Sequence, residues 1–300
     1  MTDMRVLVGT LFSGENEFRQ CKDSLQDQVF TNWDHVVYKN LPNKKAHETL
    51  YRKFMDEAEN YDLFVKLDAD MVFMSEQSLS KIVGTFQNYK HLDHALLGVK
   101  DWASNSIIDG LHIFSNRATW TKNDENLFVD PSPKVPGKKF YTHNEPAPLV
   151  VHSPNPSKNQ AFRFGYHRAL KLLQTDRVGF SFLSSRMQFK LLSNIWHQYY
   201  IKRDVIRGII LFGADYVIRN EASPDLYSND KETLYQIFEN EYPGKQKVFN
   251  DLKKNWANWL KRYKIYLNEV GLRSVLGSAL KEIPRKSLKN VYMKVSPRYI

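Results

Sequence analysis

Short apolar runs and longer stretches of helical composition alternate along the first hundred residues. Residues 5–8 form an apolar run ending at Gly9-Thr10, and residues 17–28 follow with helical composition. A second run at residues 35–38 precedes a helical stretch at 45–59, and a third at 63–67 ends in Asp68-Ala69-Asp70. Ser75 suits an N-cap for a helix reaching residue 89, and residues 96–99 supply a fourth strand. Strands separated by helices at this spacing imply βαβ crossovers. The predicted fold class is α/β, with a mostly parallel central sheet flanked by helices on both faces and a helical C-terminal extension.

Beyond residue 100 the pattern changes. A hairpin-like segment at 107–115, a Pro-rich loop at 130–148 and a strand at 149–152 come first. Helices are then predicted over 157–174, 231–239 and 246–270, with a mixed stretch between the first two.

Composition sharpens this reading in three ways. With 300 residues, 42% of them hydrophobic, the chain can bury a large core. The net charge of +10 belongs to the tail: residues 244–300 hold fourteen Lys or Arg against three acids, leaving the remainder at −1. A catalytic domain is therefore expected over 1–243 and a basic tail over 244–300, and the main domain lacks the electrostatic footprint of a nucleic-acid binder. The single cysteine, Cys21, cannot form an intramolecular disulfide and reads as a packed thiol on the first helix. The N-terminus has no signal-peptide pattern, and the most apolar stretch, residues 205–218, is interrupted by Arg207 and Asp215, so a cytoplasmic location is expected.

In the tail, Leu252, Trp256, Leu260, Tyr263, Leu267 and Val270 recur at helical spacing among Lys253, Lys254, Lys261, Arg262 and Lys264. Such a helix either packs on the catalytic domain or lies on an anionic membrane surface. The continued excess of Lys and Arg out to Arg298 favours the membrane, as a peripheral contact on the inner face of the plasma membrane.

Chemistry concentrates at two strand ends. Asp68 and Asp70, at i and i+2 past an apolar strand, suit a hard divalent cation that shares its oxygen ligands with a substrate phosphate, although an Asp-rich turn before a helix has the same pattern. His152 ends the run Leu149-Val150-Val151 and is a candidate third ligand. Ser157-Lys158-Asn159-Gln160 matches a capping box, and the helix it opens carries Arg163, His167 and Lys171 on one face. A helix N-terminus with cations beside a metal is a diphosphate site, which makes Lys158 and Arg163 the nearest candidates. Lys66, in the same segment as the aspartates, joins Asp68 among the residues expected at the cofactor.

These features together resemble the GT-A glycosyltransferases, broadly the family-2 branch. Asp23-Ser24-Leu25-Gln26-Asp27-Gln28 is similar to that family's D-S-L-x-x-Q, Asp68 and Asp70 to its D-x-D, Asp109 to Phe114 to its glycine-containing acceptor segment, and His152 to its C-terminal metal-binding histidine. The resemblance covers residues 4–175. It implies that Asp70 ligates Mn2+ or Mg2+, that Asp68 contacts the ribose or a metal-bound water, and that Thr10 and Glu15 line the nucleotide pocket. It further implies a nucleotide-sugar donor, with a UDP-sugar favoured, and a glycan or lipid-linked acceptor in bacterial surface polysaccharide or lipopolysaccharide synthesis. Inverting transfer needs a carboxylate at the acceptor hydroxyl, for which Asp130 is the first candidate and Asp109 and Glu145 are alternatives.

Two other classes are compatible with parts of the pattern. Nucleotidyl transfer to sugar phosphates needs a glycine-rich basic loop after the first strand, and residues 10–17 have one glycine and no basic residue. A non-catalytic membrane- or nucleic-acid-binding protein on a degenerate transferase fold would use Trp256, Trp259, Tyr263 and Tyr266, and leaves Asp68, Asp70 and His152 without a role.

Overall fold

The computed structural model describes residues 4–89, 91–122, 125, 127–130, 132–142, 147–174, 179–220, 222, 224–229 and 231–295. The chain divides into two compact units. The first holds residues 1–124 and 129–156; the second holds 125–128 and 157–295.

The first unit is an eight-stranded mixed sheet with helices on both faces. Its strands are β1 Val6–Phe12, β2 Trp33–Lys39, β3 Leu63–Lys66, β4 Met71–Phe73, β5 Leu92–Asp101, β6 Ser106–Ser115, β7 Lys138–Thr142 and β8 Val150–His152. They run in the order β2-β1-β3-β6-β5-β8-β4, with β7 also on β5. The pairs β1–β2, β1–β3, β5–β7 and β5–β8 are parallel, while β3–β6, β5–β6 and β4–β8 are antiparallel. The α/β expectation stands, with the parallel pairings only just in the majority.

Alternation along the central strands divides the core. Val6, Val8, Val65 and Leu67 face helices α1 Phe18–Gln26 and α3 Ser78–Asn88, while Leu7 and Phe64 face α2 Asn43–Asp56. Gly9 lets α2 lie close on β1, because a Cβ there would fall 2.4 Å from Leu50 Cδ1.

Several boundaries differ from the sequence reading. The segment read as hairpin-like is one strand, β6, and its hairpin partner is β5, joined by a turn in which Asp101 accepts from Ser104 N at 2.8 Å. Strand β7 lies inside the expected Pro-rich loop, and β4 follows the D-x-D directly. Helix α3 starts at Ser78 with Gln77 at its cap, and Ser75 instead turns the chain toward it, its hydroxyl accepting from Gln77 N at 3.1 Å.

The second unit contains α4 Lys158–Leu173, α5 Phe182–Lys202, α6 Val205–Asn220, α7 Pro224–Asn229, α8 Lys231–Glu241, α9 Lys245–Glu269 and α10 Leu272–Val295. Ser157 caps α4 as its motif predicts, accepting from Gln160 N at 3.2 Å. Helix α6 is buried nearly all round, which explains why residues 205–218 are so apolar. No described helix is long and apolar enough to cross a membrane.

The apolar stripe of the basic tail splits. Val248, Phe249, Leu252 and Trp259 of α9 are buried, and Trp259 Nε1 donates to Asp215 Oδ1 at 2.8 Å. Tyr263 stacks on Phe189 and the Tyr266 hydroxyl donates to Leu173 O at 2.5 Å. The helix for which the sequence favours a membrane surface thus packs these residues within its own unit. The side chains of Trp256, Leu260, Lys261 and Arg262, and all of Arg298, lie outside the described residues.

Candidate metal and diphosphate site

The site grows from the carboxyl end of β3. Just past the strand Leu67 and Ala69 are buried, while Asp68 and Asp70 stay partly exposed, their side chains at 34% and 19%. Met71 N donates to Asp68 O at 2.9 Å, closing a turn that sends the chain into β4.

Asp70 meets β8. Strands β4 and β8 pair antiparallel with Met71 opposite His152, which brings His152 Nε2 to 3.3 Å from Asp70 Oδ2. Ser153 adds its hydroxyl to the same oxygen at 2.8 Å, and its N–H to Asp70 O at 2.7 Å. The other imidazole nitrogen, Nδ1, lies 2.8 Å from Oδ1 of Asp101, a fully buried carboxylate at the end of β5. Burial alone would push His152 toward its neutral form, but Asp70 and Asp101 on either side outweigh that and lift its pKa to about 10. Burial likewise works against ionised Asp70, and His152 and Ser153 overcome it to hold that carboxyl at about 2. Without another cation the ring is therefore an imidazolium clamped between two carboxylates.

Asp68 belongs to a second cluster. Lys66, buried at the end of β3, places Nζ 2.9 Å from Asp68 Oδ1 and 3.4 Å from Asp130 Oδ1. The Tyr51 hydroxyl donates to Asp130 Oδ1 at 2.7 Å, and His47 Nε2 lies 3.5 Å away. His47 and Tyr51 stand one turn apart on α2. Burial raises the Asp130 carboxyl, but Lys66, His47, His112 and the Tyr51 hydroxyl hold it well below the usual carboxylate range. Burial opposes the charge on Lys66 too, and Asp130 and Asp68 together keep its pKa above the ordinary value. On β6 opposite Lys66, the His112 ring packs against His94 and Phe114, with its Nδ1 3.2 Å from His94 Nε2.

The remaining candidates have these surroundings. Thr10 lies inside the sheet rather than at a pocket surface: it is fully buried, its hydroxyl donates to Leu67 O at 2.8 Å, and it therefore accepts from His35 Nε2 at 2.9 Å. Glu15 folds back on its own loop, accepting from Ser13 N at 2.5 Å and from the Ser13 hydroxyl. Asp109 is exposed on β6 beside the irregular register at Gly98. Lys158 is exposed at the first turn of α4, and the Arg163 guanidinium sits 5.7 Å above the Tyr227 ring. The supposed cationic face of α4 is mostly packed. His167 stacks on Tyr227 at 4.3 Å and its burial, with Lys171 and Arg168 nearby, drives its pKa well below 6.5, while Lys171 lies over Phe128. Glu145 lies outside the described residues.

Comparison with known proteins adds little to this geometry. No protein-family model and no curated protein matches the sequence. Among solved structures, A197 from STIV matches over 37% of this chain and 65% of its own, at 17% identity and TM-score 0.27. A glycosyltransferase involved in glycosylation of the major capsid of PBCV-1 matches over 50% of this chain and 95% of its own, at 14% identity and TM-score 0.31. TarS of S. aureus matches over 82% of this chain and 55% of its own, at 11% identity and TM-score 0.33. The chain thus spans under two thirds of A197 and just over half of TarS. These likenesses are too distant to argue from, and the chemistry rests on the site.

Asp101, Tyr51 and His47 are the residues that sequence reasoning missed. Asp101 had a faint signal, a carboxylate ending an apolar run just as Asp68 does. The other two had none, because they reach Asp130 only through tertiary packing.

The residues fit a divalent cation in one respect that sequence spacing does not reveal. A metal-ligating histidine is usually oriented by a carboxylate on its far nitrogen, and Asp101 stands in that position to His152. Among the described residues no group of three or more His, Cys, Asp or Glu side chains is arranged to hold a metal ion. Asp70 and His152 would supply two ligands, and any others would have to come from outside these side chains.

Proposed function

We propose that this chain is a divalent-metal-dependent glycosyltransferase that moves a sugar from a nucleotide-sugar donor to a glycan or lipid-linked acceptor. The observation that carries the reading is the triad Asp70–His152–Asp101 beside Asp68, set at the carboxyl ends of β3, β5 and β8, where sheets of this class gather ligands. Asp70 Oδ2 and His152 Nε2 would hold Mn2+ or Mg2+, and a bound cation there would supply charge neutralisation to the donor's diphosphate and leaving nucleotide.

The chain's own groups would do the rest. Asp101 orients the His152 ring so that Nε2 faces Asp70, and holding a cation would require that nitrogen to be deprotonated. Lys66, already held at the cluster by two carboxylates, is a buried cation for a diphosphate oxygen. Asp130 is the second carboxylate on that lysine, 3.4 Å from its Nζ; in the present arrangement it is a hydrogen-bond acceptor, and drawing Lys66 toward a phosphate would strengthen it as a base for the acceptor hydroxyl.

The test is thermal stability against UDP-, GDP-, CMP- and dTDP-sugars with and without manganese, since a ligand that binds only the folded state raises the melting temperature. The reading expects a rise with one nucleotide class, in the presence of metal only. Asp70→Asn should abolish that metal-dependent rise and the turnover while leaving the unliganded protein folded. No rise with any donor, or near-normal turnover in Asp70→Asn, would defeat it.

A further inference from the structure

Helix α10 presents its polar side to the rest of its unit and its apolar side to solvent. Ser278 Oγ accepts from Phe182 N at 2.9 Å, and Glu282 Oε2 accepts from Leu183 N at 2.8 Å. Phe182 and Leu183 open α5, so two N–H groups that a helix start leaves without intrahelical partners are satisfied by residues one turn apart on α10. Glu282 is the sole acid of α10 and sits at the positive end of α5.

Four residues fall on the opposite side at helical spacing. Leu272 is 68% exposed, Leu276 51%, Leu280 74% and Ile283 44%. They form an aliphatic stripe about 17 Å long at 1.5 Å per residue. Arg273 and Lys281, both exposed, lie within the same span. The stripe belongs to the segment 244–300, whose net charge is +11. Helix α9, by contrast, buries Val248, Phe249, Leu252 and Trp259 inside the unit.

We propose that this face of α10 seats the protein on an anionic lipid surface, with the helix lying in the interfacial plane. A row of exposed Leu and Ile along one side of a helix, with cations beside it, matches an acyl and headgroup boundary. A second copy is the poorer occupant, because self-complementary pairing would bring the same Arg273 and Lys281 together across the contact. The inference is independent of the proposed activity.

Co-sedimentation of the full chain with vesicles tests it. Vesicles of phosphatidylglycerol and phosphatidylcholine should retain the protein, added salt should weaken the binding, and pure phosphatidylcholine should retain less. Leu276→Glu combined with Leu280→Glu should lower the partition coefficient at least about tenfold. Both positions are exposed, so circular dichroism and the melting temperature should stay unchanged. Failure to bind anionic vesicles, or equal binding by the double variant, overturns the proposal. So does a dimer in sedimentation velocity that the double variant converts to monomer, which would assign the stripe to a second copy.

Discussion

Single residues at this site are defined by what neutralises them. His152 is the clearest case, since its charge state follows from Asp70 and Asp101 and not from its exposure. If Asp101 orients the ring, Asp101→Asn should weaken manganese binding by about 10–100-fold in a calorimetric titration of the protein alone. Unchanged affinity would mean that Asp101 merely closes the Ser104 turn. His35 shows the reverse electrostatics. Burial, aided by Lys22, lowers its pKa to about 4 from the ordinary 6.5, so between those values the unfolded chain binds a proton that the folded chain does not. Stability must then fall as pH drops from 6.5 toward 4. Desolvation lowers half-buried His112 and His167 too, and they add to the same trend. His152 acts with the opposite sign: its contribution is complete below 6.5 and is lost as pH rises through about 10. Urea midpoints of wild type and His35→Gln at neutral pH and at pH about 5 check this, and the variant should lose less on acidification. Equal losses would show that His35 does not charge on unfolding.

At the scale of elements, one helix crossing depends on two glycines. Helices α4 and α6 touch backbone to backbone: a Cβ at Gly165 would fall 1.7 Å from Ile210 O, and one at Gly213 2.2 Å from Phe162 O. Neither carbonyl can rotate away like a flexible side chain, so Gly165→Ala should destabilise the protein by about 2–4 kcal/mol in denaturant unfolding. Gly84 in α3 is the control, with nothing within 4 Å of its would-be Cβ. There, alanine should stabilise by about 0.5–1 kcal/mol, because it removes only the entropic cost of glycine in a helix. A mild effect at Gly165 would mean that the two helices can separate without loss.

For the whole molecule, the two proposed roles fall on different units, one on the sheet unit and one on the helical unit. The described catalytic candidates other than Lys158 and Arg163 lie in the first unit. The second unit carries the net basic segment and the apolar stripe of α10. Deleting residues 271–300 should therefore remove vesicle binding while sparing metal-dependent nucleotide binding, because α9 keeps its buried contacts with α6. The vesicle and thermal-shift measurements above serve as the readouts.

The amino-acid sequence alone was enough to show the α/β alternation, the Asp68-Ala69-Asp70 motif at a strand end, His152 closing a later strand and the cap at Ser157. Each is a local pattern, set by period-2 or period-3.6 hydrophobicity and by capping chemistry within a few residues. What the tertiary structure decided is non-local. Asp101 reaches His152 across 51 positions and Tyr51 reaches Asp130 across 79, distances over which no periodicity extends. Strands β4 and β7 exist only because β8 and β5 offer them edges, and five or fewer residues carry too little pattern to announce themselves. The tail makes the same point at larger scale. A stripe on a helix reveals that one side is apolar, but whether that side meets protein or solvent depends on the partner surface, and the fold chose oppositely for α9 and α10.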